Sequence, residues 1–174
     1  GSGGAIVVDP AWDIDELAAI PTDLADLEVQ CVAGVATHEH YDHVMWHPGL
    51  GDVPRWASPA TVRRLAESRD DVLAPLAEFL TAGLIAIAGR LEPLDTTRLP
   101  WTGPTATCVV HDAHAPGHLA VLVEPTGVLV AGDMLSDVEL PMPADDDRTL
   151  EVYRTGLLAL REVVDLASWV IPGH

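Results

Sequence analysis

The stretch "ATHEHYDHVMWH", residues 36 to 47, contains four histidines and two acids. It follows directly on the apolar run "VQCVAGVA" (29–36), which is typical of a buried strand. A single histidine is more often a surface or core residue than a ligand. Four metal-binding side chains at close spacing favour a site instead: His38, His40, Asp42 and His43. Whether they form one depends on what the rest of the chain supplies.

Length and composition predict one soluble domain, 1–174. The chain has 174 residues, and 48% of them are apolar. No apolar run approaches the roughly 20 residues of a membrane span, and no secretion signal is visible. Cys31 and Cys108 lie in strand-like runs and are interpreted as reduced core residues, so a cytoplasmic location is expected. The opening "GSGG" (1–4) resembles a cloning remnant and is set aside.

The charge of the chain bears on its partners. The formal net charge is −18, with nine arginines and no lysine. Such a chain repels phosphate backbones unless it carries a focused basic patch, and the arginines form no such run. We therefore expect a small-molecule substrate, with neither nucleic acid nor membrane as a partner. The oligomeric state stays open.

Strand-like and helix-like segments alternate along the chain, which predicts a layered α/β protein. The expected strands lie at 5–9, 29–36, 53–57 and 105–111, with a hairpin over 118–133 and a last strand within 168–174. The expected helices lie at 12–20, from Ser58 onward, at about 70–82 and at 147–165. Pro21 is expected to end the first helix, and Pro75 weakens the third.

Further possible ligands follow other strands. His111, His114 and His118 surround the end of the strand at 105–111, while Asp133 ends the hairpin and His174 follows the last strand. The carboxyl ends of strands in an α/β sheet gather loops that build sites. Imidazole and carboxylate together suit zinc, iron or manganese. The pattern therefore predicts a metal site at one edge, with His38 and His40 pointing to the same face.

Four motifs occur in the order found in one known family. They are "HEHYDH" (38–43), which fits H-x-H-x-D-H, then "HAPGH" (114–118), "AGD" (131–133) and "PGH" (172–174). In these motifs the sequence resembles the metallo-β-lactamase superfamily of metallo-hydrolases, including its glyoxalase II-like members. The resemblance implies an α/β fold, a four-layered αββα sandwich of two mixed sheets with helices outside. Relative to that family, the fold is expected to be trimmed at both ends.

The resemblance also implies roles for individual residues. The first metal would be bound by His38, His40 and His114, the second by Asp42, His43 and His174, with Asp133 as the bridge. Asp42 would also be catalytic, holding the second ion and orienting the nucleophile. Asp9 and His118 would support ligands from behind, whereas His111 is interpreted as structural. Two Zn²⁺ ions are expected, with iron or manganese as alternatives.

The activity that this implies is hydrolysis by a metal-bound hydroxide of a small ester, thioester, lactone or amide. No "GxSxG" motif is present, so attack by water is preferred over a covalent acyl-enzyme. Two alternatives stay open: a mononuclear iron enzyme resembling the persulfide dioxygenases, and a non-catalytic metal-binding domain. The loop at 135–147 leaves the hairpin beside the expected metals, and either lines the substrate pocket or is simply solvated.

Overall fold

A computed structural model describes residues 3–11, 13–140, 142–144 and 149–174. Its strands are β1 (Gly4–Val8), β2 (Gln30–Val35), β3 (Arg55–Ala57), β4 (Glu92–Pro93), β5 (Ala106–His111), β6 (His118–Val123), β7 (Val128–Gly132) and β8 (Trp169–Pro172). Its helices are α1 (Ile14–Asp26), α2 (Pro59–Leu73), α3 (Ala82–Ile87) and α4 (Thr149–Val164). The predicted starts of the first and last helices, residues 12 and 147, lie outside the described residues.

The strands form two four-stranded sheets. The first has the order β1-β2-β3-β4, and all of its neighbouring strands are parallel. The second has the order β5-β6-β7-β8, with two antiparallel pairs and a parallel β7–β8 pair. The predicted hairpin is the β6–β7 pair, in which Val123 lies opposite Val128. Only the second sheet is mixed, so the expectation of two mixed sheets was wrong for the first.

Three separate hydrophobic cores define four layers. The first lies between α1–α3 and the first sheet, and includes Leu17 and Leu65. The second lies between the sheets, where Val35 packs with Leu119 and its neighbours. The third joins the second sheet to α4 through Leu160. Strand β6 contributes alternate residues to the second and third cores, as period-two side chains require. The predicted αββα sandwich is confirmed.

Proline positions caused the main errors in the predicted helices. Helix α1 contains Pro21 and continues to Asp26, although Pro21 cannot donate to the carbonyl four residues earlier. The helix is held instead by its Asp13 cap and by the fully buried Leu17. The predicted helix at 70–82 is only partly right: α2 loses helical geometry at Ser68 and ends at Leu73, and a 3₁₀ turn containing Pro75 follows.

Two smaller features concern the chain's start and its cysteines. Gly4, which was set aside, begins β1 and lies opposite Gln30. Cys31 is half-buried and Cys108 is buried, and both are free thiols. Among the described residues, no helix has the length and apolar character needed to cross a membrane. The cytoplasmic location stays a prediction.

Candidate metal centre

The predicted ligands meet at one edge of the sandwich. The loop after β2 carries residues 38–43, and β7 and β8 end beside each other just before Asp133 and His174. These strand ends approach closely because glycines precede both ligands: a side chain on Gly173 would collide with the Asp133 carboxylate. The turn at 41–43 is closed by the His43 N–H, which donates to the His40 carbonyl at 3.1 Å.

The first ligand group consists of His38, His40, His114 and Asp133. The Nδ1 atom of His40 lies 2.9 Å from His38 Nε2 and 3.2 Å from His114 Nε2. Asp133 Oδ2 lies 3.7 Å from His38 Nε2 and 3.4 Å from His114 Nε2. Four donor atoms from three separate segments of the chain thus converge on one point.

The second group consists of Asp42, His43 and His174. Asp42 Oδ2 lies 3.5 Å from His43 Nε2 and 3.2 Å from His174 Nε2. Asp133 faces this group as well, with Oδ1 at 3.2 Å from His43 Nε2 and Oδ2 at 3.4 Å from His174 Nε2. Asp133 is therefore the residue that the two groups share.

Hydrogen bonds on the far side of three imidazoles leave their Nε2 atoms free for the centre. His38 Nδ1 lies 2.9 Å from Thr37 Oγ1, and His114 Nδ1 lies 2.6 Å from the Met142 carbonyl. His43 Nδ1 lies 2.9 Å from Asp9 Oδ2. A carbonyl or carboxylate can only accept, so the proton of His114 and of His43 sits on Nδ1.

Asp9 forms hydrogen bonds with two residues of the loop after β2, Thr37 and His43. Its Oδ1 accepts the Thr37 N–H at 2.7 Å, and its Oδ2 accepts the Thr37 hydroxyl at 2.6 Å as well as bonding His43. Because the Thr37 hydroxyl donates to Asp9, it can accept the Nδ1 proton of His38. Asp9 has a φ of +47°, a left-handed conformation that Asp tolerates better than most residues. Asp9 thus supports one histidine of each group: it bonds His43 directly and supports His38 through Thr37.

His118 and His111 form a stack behind His38. The His118 ring is 4.9 Å from His38 and 4.7 Å from His111, at interplanar angles of 23° and 18°. His118 Nε2 accepts the backbone N–H of Asp133 at 3.2 Å, and so supports the loop that carries the shared carboxylate. His111 Nδ1 accepts the Ala113 N–H and lies in neither ligand group, in line with its structural interpretation.

The protonation of the site suits a cation. Burial lowers the pKa of His38 well below its ordinary value, and burial followed by the charge of His114 lowers that of His40. Burial alone would also lower the pKa of His43. The neighbouring carboxylates of Asp133, Asp42 and Asp9 outweigh burial there and raise that pKa to about 12. The three carboxylates therefore favour a positive charge at His43, either a proton on its ring or a metal ion beside it.

The acids of the site are ionised at neutral pH. Burial would raise the pKa values of Asp42 and Asp133, but hydrogen bonding and charge from His43 outweigh it and lower both. His174 adds to this lowering at both carboxylates. Neutral imidazoles and ionised carboxylates are the forms that bind metals.

The geometry also fits metal better than hydrogen bonds. His43 Nε2 and Asp133 Oδ1 are buried and lie 3.2 Å apart, yet neither has a partner with hydrogen-bond geometry among the described residues. In a tetrahedral zinc site with bonds of about 2.0–2.2 Å, neighbouring ligand atoms lie roughly 3.3–3.6 Å apart. The distances from the carboxylate oxygens of Asp133 and Asp42 to the histidine Nε2 atoms fall in or close to this range. The residues present fit a two-metal site.

Several contributors carried no usable sequence signal. The Thr37 hydroxyl and the Met142 carbonyl each orient a histidine, yet neither belongs to a recognisable motif. Glu39, between two ligands, is almost fully buried and binds Arg64 of α2 at 2.7 Å. His47 lies outside both groups and caps the turn at Pro48–Leu50. Of the loop at 135–147, the described residues 135, 136, 139, 140 and 142 line a cavity beside the centre.

Comparisons with known proteins agree with this fold. Residues 1–174 match the family model described as Lactamase_B, metallo-beta-lactamase superfamily. The chain belongs to the metallo-β-lactamase superfamily, whose members are commonly metal-dependent hydrolases.

Two solved structures illustrate the shared fold. A metallo-beta-lactamase from Pontibacter korlensis is 19% identical with a TM-score of 0.70, over 98% of this chain and 74% of that one. FIM-1 from Pseudomonas aeruginosa, solved in its mono-zinc form, is 21% identical with a TM-score of 0.71, over 100% of this chain and 73% of that one. At these identities, the likeness shows the fold alone.

One curated protein is similar over a short stretch. The probable polyketide biosynthesis zinc-dependent hydrolase PksB of Bacillus subtilis (strain 168) is 54% identical over 43 residues. The match covers 25% of this chain and 18% of that protein.

Proposed function

We propose that this chain is a metal-dependent hydrolase with a binuclear zinc centre, which cleaves a small ester, thioester, lactone or amide. The observation that carries the proposal is the convergence of two ligand groups on one shared carboxylate, Asp133. Two bound zinc ions would supply a Lewis acid for the substrate carbonyl and a lowered pKa for a water.

Zinc is the favoured metal. The donor atoms are five imidazole nitrogens and carboxylate oxygens, a set that zinc accepts readily. The short match to a zinc-dependent hydrolase supports the same choice. A mononuclear iron centre would use only one ligand group. Asp42, His43 and His174 would then bind no metal, although their ligand atoms are gathered as closely as those of the first group.

Asp42 is proposed as the residue that positions the attacking water. Its lowered pKa keeps it ionised at neutral pH, so it can accept a hydrogen bond from a water. It faces His43 and His174 with one oxygen, Oδ2. The other oxygen is the acceptor that we assign to the water.

An apolar wall beside the centre supports an acyl substrate. A cavity of about 130 Å³ is lined by the candidate ligands His114, Asp133 and His174 and by three apolar residues, Leu135, Leu140 and Met142, together with Ser136, Glu139 and Tyr153. Leu140 and Met142 are 85% and 65% exposed, so a ligand could cover apolar surface there. The Met142 carbonyl also bonds His114, which ties this wall to the ligand set.

Water is the nucleophile rather than a thiol. Burial raises the pKa of Cys108 to about 12 and also raises that of Cys31, so neither forms a thiolate at neutral pH. Cys108 packs in the core between the sheets.

The test is a substrate panel assayed with the zinc-loaded protein. It contains acyl-thioesters, a carboxylic ester, a homoserine lactone, a cephalosporin and a phosphodiester. Turnover of carbonyl substrates supports the proposal, and turnover of the phosphodiester alone would overturn the carbonyl assignment. If nothing is turned over and the protein binds one iron, the dioxygenase-like alternative replaces it.

A further inference from the structure

A second cavity is also lined by His114. It has a volume of about 530 Å³ and is bounded by α2, by the ligand loop and by the loop at 112–116. His40 and His114 line it, so it opens directly onto the first ligand group. We call it the α2 groove. His114 also lines the apolar cavity, so both cavities adjoin the first ligand group.

The charged groups of the α2 groove are partnered, with one exception among the described residues. Glu39 is paired with Arg64, and Asp112 Oδ1 accepts the Gly117 N–H at 2.7 Å. Arg63 also lines the groove and is exposed, but forms no ion pair or hydrogen bond with any described residue. The chain has a net charge of −18 and only nine basic residues, so a guanidinium without a partner among the described residues stands out in a groove that also contains His40 and His114.

The position of α2 relative to the metal ligands is fixed. Arg64 Nε binds Glu39 Oε1 at 2.7 Å, and the Glu39 side chain is only 4% exposed. Because Glu39 lies between His38 and His40, this ion pair joins α2 to the ligand loop. Arg63 precedes Arg64 on the same helix, so this ion pair keeps the helix segment that carries Arg63 beside the groove.

We infer that the α2 groove binds an anionic arm of the substrate, with Arg63 as the group that binds its carboxylate or phosphate. This inference rests on the proposed function, since it assigns the substrate of the same site. The substrate would then have two unlike ends. Its apolar end would lie against the wall of Leu135, Leu140 and Met142, its scissile bond at the ligand groups, and its charged end in the groove. A guanidinium suits either anion because it donates two parallel hydrogen bonds.

The first experiment measures substrate preference. Three thioesters share one acyl group and end in a carboxylate, a phosphate or a neutral amide on the thiol side. The quantity compared is the preference of the zinc-loaded protein, defined as kcat/KM for the better anionic thioester divided by kcat/KM for the neutral one. We expect Arg63→Gln to lower this preference by about tenfold, mainly because KM for the anionic thioester rises. The matched control is Arg98→Gln. Arg98 is exposed and pairs with Thr107 near the start of β5, away from the carboxyl edge, so the variant should keep the wild-type ratio.

The second experiment measures binding without turnover. Propionate and inorganic phosphate are titrated separately into the zinc-loaded full chain, with ¹⁵N-labelled arginine side chains observed by NMR. The Arg63 signal is assigned by its loss in Arg63→Gln. We expect it to shift saturably with at least one anion, while the Arg98 signal does not. The anion that saturates Arg63 identifies carboxylate or phosphate as the natural group.

The outcomes separate the two proposals. If no thioester is hydrolysed but Arg63 binds an anion saturably, the hydrolase proposal fails and the groove stands as an anion site. If thioesters are hydrolysed with an unaltered anionic preference in Arg63→Gln, the groove inference is wrong and the hydrolase proposal stands. An Arg63 signal that moves no more than that of Arg98 with either anion also overturns the inference.

Discussion

The two sheets supply the candidate centre in different ways. The parallel sheet supplies four ligands from one loop after β2, at residues 38–43. The mixed sheet supplies the other three from three separate places: His114 between β5 and β6, Asp133 after β7 and His174 after β8. The first set is fixed by local spacing, whereas the second depends on how four strands align.

This difference indicates which substitutions should disturb the centre most. Within the loop, Asp9 and Thr37 hold the imidazoles, so the arrangement is braced from the first sheet. Across the mixed sheet, the strand ends are held by register and by contacts such as that from His118 to the Asp133 N–H. Asp133 is the residue at which the two contributions meet.

Asp133→Ala should give the largest effect. It removes the carboxylate that faces both ligand groups, so metal content should fall below two equivalents and turnover should fall together with it. The loss of turnover should exceed the roughly 100-fold typical of residues that only support a ligand. Metal analysis by mass spectrometry and steady-state assays measure both. Asp95→Ala, at an exposed site, controls for the lost charge. Two retained metals with full activity would show that Asp133 does not bridge.

Asp9→Asn should give an intermediate effect, confined to the braced loop. Asn tolerates the left-handed backbone at this position, so the fold should persist. The variant is a weaker acceptor for the hydrogen bonds from His43 and Thr37. Zinc affinity should therefore fall by roughly 10–100-fold. Competition with a chromophoric chelator measures the affinity. An unchanged affinity would mean that the hydrogen bonds of Asp9 serve the fold and not the site.

The effect expected to be smallest at the metal centre itself concerns folding, through the stack behind the mixed sheet. Burial lowers the pKa of His111 to about 4, whereas the unfolded chain takes up that proton near 6.5. The stabilisation is therefore complete above pH 6.5 and is lost as pH falls toward 4, by up to about 3 kcal/mol. Asn offers the same acceptor for the Ala113 N–H without titrating. His111→Asn should therefore flatten the dependence of urea unfolding on pH between 6.5 and 4.

The measurement uses metal-free protein in EDTA, so that metal release does not contribute. His47→Asn is the control for the loss of one imidazole, because Asn also caps a helical turn. If the pH dependence of His111→Asn matches that of the wild type, His111 is not the group responsible.

The sequence predicted the parts of the centre whose signal is local. The spacing of residues 38–43 and the positions of Asp133 and His174 after strands were enough to gather six of the seven candidate ligand residues. His114 was chosen over His111 and His118 by the family resemblance. The family resemblance then divided them into two sets, and the structure brings together the same sets. The bridging and ligand roles themselves stay predictions.

The missing parts depend on tertiary contacts. The Met142 carbonyl orients His114 from a position 28 residues away in sequence, and a backbone carbonyl has no residue signature. Glu39 could not be distinguished from a solvated acid until α2 placed Arg64 against it. Helix α1 continues through Pro21 because Leu17 is buried in the first core, which a local rule for proline does not include.

The most direct test of the account is anomalous diffraction at the zinc edge, from crystals of the zinc-loaded chain. The account predicts two zinc peaks roughly 3.5–4 Å apart, one on each side of the Asp133 carboxylate. One should be bound by His38, His40 and His114, and the other by Asp42, His43 and His174. A single peak at full zinc occupancy, or peaks that Asp133 does not join, would contradict it.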